Sequence, residues 1–176
     1  TVSIVILVIL GFLGINSLFT MNETQQGLVL QFGEPKRVIR DSGLNVKLPI
    51  IQNTVKYDKR ILEYDLPIEE VIAVDKKRML VDSFTRFKIT DPLEFYKTVG
   101  TESNVRNRLN SNVISSLRRV VGRVTLDELL SEERSKIMED IKLEVNNEAS
   151  RFGIEIVDVR IRRADLPEAN SQAIYE

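Results

Sequence analysis

The stretch VDSFTRFKITDPLEFY, residues 81–96, decides how this chain folds. In its first nine residues Val81, Ser83, Thr85, Phe87 and Ile89 alternate with the charged Asp82, Arg86 and Lys88, so the two sets face opposite ways. This period of two predicts a strand with one dry and one wet face, as an antiparallel sheet requires. Asp91 and Pro92 then end it. Asp is a good N-cap, and Pro suits the first helical position because its missing N–H would have no partner there. The chain is therefore expected to change from strands to helices at this point.

Toward the N-terminus, short runs bounded by turn residues read as strands. GLVLQFG and RVIR are split by Gly33 and Pro35, and SGLNVKLPI follows Ser42 and Gly43. NTVKYDKRILEYDL and EEVIAV come next, the latter joined to RMLVDSFTRFKIT by a DKK turn at residues 75–77. Toward the C-terminus, Val105, Leu109, Val113, Leu117 and Val121 recur every four residues and predict an amphipathic helix. Thr125 and Glu128 have the spacing of a capping box, and Ser131 before Glu132 and Glu133 predicts a further helix start. Ile137, Ile141, Val145, Ala149 and Phe152 form a stripe that stops at Gly153, a natural left-handed cap. Alternation then returns, with Val157, Val159 and Ile161 opposed to Asp158, Arg160 and Arg162. The expected class is α+β. Residues 1–20 form an anchor, 21–95 a strand-rich half, 96–165 a helix-rich half closed by a strand, and 166–176 the start of another helix.

The anchor is read from TVSIVILVILGFLGINSLFT, twenty residues without a charge. At about 1.5 Å per residue they cover ~30 Å, the hydrocarbon thickness of a bilayer. The side chains expected to meet lipid are Ile4, Val5, Ile6, Leu7, Val8, Ile9, Leu10, Phe12, Leu13, Ile15, Leu18 and Phe19. A cleaved signal peptide fits less well, since its apolar run is shorter and ends at a small-x-small site, while no Ala precedes Ala73. Thr1 in place of an initiator Met points to residues upstream. No Lys or Arg follows the span until Lys36, which places the body of the protein on the non-cytoplasmic side.

Composition narrows the chemistry. With no Cys and no His, there is no thiol nucleophile, imidazole base, disulfide or His/Cys metal cluster. Lys and Arg number 25 against 26 Asp and Glu, so the basic excess that nucleic-acid binding needs is missing. The eight glycines make no phosphate-cradling loop, and Ser83 beside Asp82 has no adjacent base. No catalytic residue, metal or cofactor is expected. Two features point elsewhere. In KLPIIQ, the run Leu48, Pro49, Ile50 and Ile51 reads either as a core strand or as a tip seated in the membrane interface. In LPEANSQAIYE, Pro167 and Glu168 open a helix that eleven residues do not sustain alone, and it is expected to continue and pair with neighbouring copies.

The ordered set QQGLVLQFGEP, SGLNVKLPI, YDKRI, VDSFTRFKITDPLEFY, LRRVVG, TLDELLSEER and GIEIVDVRIRRADLP resembles the SPFH, or band 7, superfamily of stomatins, prohibitins and flotillins. VDSF, KITDP and GIEIVDVRIRRADLPE are most similar to its bacterial inner-membrane branch. That resemblance implies a non-enzymatic membrane scaffold subunit. It would assemble with an HflK-like SPFH subunit into a large hetero-oligomeric ring or cage on the periplasmic face of the inner membrane, and regulate the AAA+ protease FtsH by limiting substrate access. A prohibitin- or stomatin-type scaffold that organises lipids without FtsH is the alternative. Rings close through repeated heterologous contacts, for which Arg118, Arg119, Arg160, Arg162 and Arg163 on one subunit and Glu132 and Glu133 on the next are the candidates.

Overall fold

The computed structural model describes residues 4, 11 and 14–166. Val5, Ile6, Leu7, Val8, Ile9, Leu10, Phe12 and Leu13 of the expected span lie outside the described residues, as does the helix expected from Pro167. Among the described residues no helix is long and apolar enough to cross a membrane. Ile4, Gly11 and residues 14–17 are helical. Leu18 and Phe19, expected at the end of the span, belong instead to a strand, β1 (Leu18–Met21). Apolarity alone did not reveal this change, because a helix and a half-buried strand draw on the same residues.

The described residues fall into two compact units, one up to Arg60 with Asp91–Leu93, the other formed by Ile61–Thr90 and the residues from Glu94 onward. In the first, β2 (Gln25–Gln31) is the middle strand of a sheet with β3 (Glu34–Ile39) and β5 (Gln52–Asp58). β1 pairs with β4 (Gly43–Val46) in a separate antiparallel ribbon. Residues 26–30 of β2 are all buried, and Met21, Val29 and Ile39 form a core cluster against which Phe19 packs. Gly27 allows the tight packing: a Cβ there would lie 2.2 Å from the Val55 carbonyl oxygen and 3.2 Å from Met21 Cε.

The second unit is organised by β8 (Arg78–Ile89). Its residues 79, 81, 83, 85, 87 and 89 are buried, the dry face that the sequence alternation predicts. β6 (Leu62–Asp65) and β7 (Glu69–Ile72) follow one another along one edge, and β9 (Ile154–Asp165) runs antiparallel along the other. The expected single run from Asn53 to Leu66 is broken at residues 59–61, between β5 and β6. The β8–β9 ladder has two register shifts. Val157 and Arg162 are the extra residues, since Asp158 and Ile156 oppose Arg86 and Phe87, and Arg163 and Ile161 oppose Asp82 and Ser83. Val157 is therefore not in the inward set with Val159 and Ile161; Ile154 and Ile156 take that role.

Helix signals are mostly where the sequence puts them. The Leu93 N–H donates to Asp91 Oδ1 at 2.9 Å at the start of α1 (Pro92–Thr98). α2 (Glu102–Val121) is capped by Thr101 and buries the predicted stripe. The capping box at α3 (Leu126–Leu130) is complete: Glu128 Oε2 accepts from the Thr125 N–H at 2.6 Å, and Thr125 Oγ1 from the Glu128 N–H at 3.2 Å. Ser131 does not start the next helix. Its hydroxyl donates to the Glu128 carbonyl, closing α3, and α4 (Arg134–Ala149) begins only after Glu132 and Glu133. A short 3-10 turn (Ser150–Phe152) then reaches Gly153 at φ 69°, as the stripe predicts.

Candidate membrane-facing surface

Three segments far apart in sequence meet at one end of the first unit. Leu18 pairs with Val46, and the Lys47 N–H donates to the Ser17 carbonyl at 2.8 Å, so residues 17–18 lie beside the end of β4. Gln31 pairs with Gln52, which brings the β2–β3 turn at Phe32 and Gly33 beside the chain that enters β5. Residues 48–51 lie between these two strand ends. Leu18, Phe32, Val46, Leu48, Ile50 and Ile51 are all exposed here, Ile50 at 91% and Phe32 at 84% of full exposure. Isolated exposed apolar residues are ordinary, but several together at the end of one unit mark a contact surface.

The backbone holds this surface out at a cost. Phe32 has φ 52° and Ile50 φ 76°. A β-branched residue at positive φ is a genuine outlier, worth on the order of 1–3 kcal/mol, and persists only where its surroundings fix it. The fixing groups are visible: the Leu48 N–H donates to Gln52 Oε1 at 2.8 Å, and the Gln52 N–H donates to the Leu48 carbonyl at 2.9 Å. Of the sequence-predicted tip, Leu48, Ile50 and Ile51 are exposed and Pro49 half-buried. Phe32 and Val46 were missed, because only strand register makes them neighbours. The one local signal was a large apolar residue directly before the turn glycine, in FG.

A groove of about 310 Å³ adjoins this surface, lined by Val29, Lys36, Arg37, Val46, Lys47, Leu48 and Gln52. Arg37 Nη2 donates to the Val46 carbonyl at 2.6 Å, which fixes one cation on the wall. Lys36 pairs with Glu34 at 3.2 Å, both well exposed. Asp58 and Arg60 lie toward the other end of β5, where Asp58 pairs with Gln25. Hydrogen bonds from the Arg60 side chain hold the Asp58 carboxyl below the ordinary carboxylate range.

The subunit-contact candidates all lie in the second unit, and each of their arginines has an acid within its own chain. Arg118 meets Glu69 at 2.8 Å, Arg119 meets Glu144 at 2.6 Å, Arg160 meets Asp158 at 2.7 Å and Arg163 meets Asp165 at 3.2 Å. Arg162, aimed by its bulge, reaches Asp65 at 2.5 Å and Glu63 at 3.4 Å, with its guanidinium 4.6 Å from the centre of the Phe84 ring. Glu132 and Glu133 are exposed, and among the described residues their carboxylates make no ion pair. No group of three or more His, Cys, Asp or Glu among the described residues is placed to hold a metal ion.

The sequence is matched at family level. The model of the SPFH domain / Band 7 family covers residues 19–176, and the chain belongs to that family. It is similar to Protein HflC of Haemophilus influenzae, with 30% identity over 92% of this chain and 58% of that protein. The Escherichia coli K12 protein named modulator of FtsH protease HflC is 24% identical over 98% of this chain and 64% of its own length. Stomatin-1 of Caenorhabditis elegans is 27% identical over 88% and 46%. The chain thus spans less than two thirds of the length of each of these relatives.

Proposed function

We propose that this chain is the membrane-seated SPFH part of an HflC-type scaffold subunit. The observation that carries the reading is the convergence of Leu18, Phe32, Val46, Leu48, Ile50 and Ile51 at the end of the first unit where the N-terminal helical residues enter β1. An apolar tip beside an N-terminal membrane anchor that ends before Leu18 seats the domain on the bilayer and fixes its height. In this reading the body lies on the periplasmic side, and a helix opening at Pro167 joins neighbouring subunits.

By its likeness to the Escherichia coli protein named as an FtsH modulator, the subunit assembles with an HflK-like partner and controls access of substrates to an FtsH-type protease. Its role is in assembly and exclusion, with no bond made or broken by its own residues. Glu132 and Glu133 face cations of the next subunit. For Arg118, Arg119, Arg160, Arg162 and Arg163 to take part, they must share or exchange the acids they already hold. Recovery of the protein from membranes in mild detergent tests the whole reading. Large closed particles that contain an HflK-like chain and an FtsH-type protease support it. Large particles with neither partner leave a stomatin-type scaffold, and particles of single-subunit size remove assembly altogether.

A further inference from the structure

We infer that the groove bounded by Lys36, Arg37 and Lys47 binds the phosphate of an anionic phospholipid headgroup. The inference rests on the membrane-seated reading above and adds to it a ligand and a selectivity.

The lining carries three cations and no acid. The carboxylate nearest in sequence, Glu34, pairs with Lys36 and is itself not part of the wall. Lys47 is half-buried and makes no ion pair among the described residues. Arg37 is held in place by its bond to the Val46 carbonyl, which uses one of the five N–H donors a guanidinium has. The first unit, Asp91 included, has seven Lys and Arg against five Asp and Glu, in a chain whose total is -1, so positive charge is in excess in the unit that bears the apolar tip.

Position decides the kind of anion. Val46 and Leu48 line the groove and also belong to the exposed apolar end, so an occupant meets cations and a lipid-facing surface together. A phospholipid with a net negative headgroup has both parts: phosphate for Lys36, Arg37 and Lys47, and acyl chain beside Leu48. Such juxtamembrane cations favour anionic over zwitterionic lipid by roughly fivefold each.

The chain contains no cysteine, so Phe32→Cys gives a single attachment point for a polarity-sensitive nitrobenzoxadiazole dye at the apolar end. The labelled full chain is reconstituted into vesicles of phosphatidylcholine alone and of an equal mixture with phosphatidylglycerol. The expected result is a blue shift in both, with the seated fraction greater in the mixture. Lys47→Gln with Lys36→Gln should cut that gain about fivefold for each cation, and Lys47→Arg should restore it. A blue shift that is equal in both lipids and unchanged by charge removal overturns the headgroup site and leaves the membrane seat intact. No blue shift in either lipid overturns both. If phosphatidylglycerol gives no gain while inorganic phosphate raises the unfolding midpoint of the full chain more than sodium chloride of equal ionic strength does, the groove takes free phosphate and the lipid assignment falls.

Discussion

Leu48 and Gln52 close the apolar turn on itself, the Leu48 N–H donating to Gln52 Oε1 at 2.8 Å and the Gln52 N–H to the Leu48 carbonyl at 2.9 Å. Between them Ile50 stands almost fully exposed at φ 76°. Without this closure nothing in the turn would favour so strained a residue.

Gln52→Ala removes the acceptor for the Leu48 amide. Loss of one such hydrogen bond costs about 1 kcal/mol. Hydrogen exchange at Leu48 should accelerate while amides in β2, such as Val29, keep their protection. Unchanged exchange at Leu48 would show that the turn is held by something other than the side chain of Gln52.

Ile50→Gly separates the two properties of the tip. Glycine accepts φ 76° without a Cβ clash, and relief of the left-handed strain should raise stability by about 1 kcal/mol, read as an increase in the unfolding midpoint. The same change removes an apolar side chain from the end proposed to meet the bilayer, so seating in vesicles should weaken. Gain in one and loss in the other is the predicted pattern; a fall in stability contradicts the strain argument.

Gly27→Ala should be among the most damaging small changes in the first unit. Its Cβ would lie 2.2 Å from the backbone oxygen of Val55, so the β2–β5 pair has to move apart. Overpacking of this kind costs about 1–3 kcal/mol. Chemical denaturation of the variant measures it, and a wild-type midpoint would refute the close approach.

Asp58 and Arg60 set a pH dependence of known sign. Because the Arg60 side chain lowers the folded-state pKa of Asp58, the pair contributes stability above the ordinary carboxylate range, and that contribution is lost as pH falls through the lowered value. Carboxyl carbon titration by NMR should place Asp58 below typical aspartates. In Arg60→Gln the value should return upward, and the acid limb of the stability profile should flatten.

Much of the fold was legible because its signals are local. The alternation from Val81 to Ile89, the switch at Asp91 and Pro92, the stripe from Val105 to Val121, the Thr125–Glu128 box and the stop at Gly153 each depend on residues within a few positions. Where structure and expectation differ, a competing partner took the residue, near in sequence for Ser131 and distant for β9. Ser131 closes α3 onto the Glu128 carbonyl rather than opening α4. Two bulges against β8 shift the faces of β9 at Val157 and Arg162, and no property of β9 alone marks them.

The sequence by itself therefore determined the order of strands and helices after β1, the lack of thiol and imidazole chemistry, and the family likeness, since each follows from residue type and spacing along the chain. Only the tertiary structure decided that Leu18, Phe32 and Val46 join the tip at residues 48–51, and that Arg118, Arg119 and Arg162 meet acids of their own chain far off in sequence. The first rests on strand register, and the contacts of Arg118, Arg119 and Arg162 on where long side chains end, both set by pairing between segments the sequence does not hold near one another.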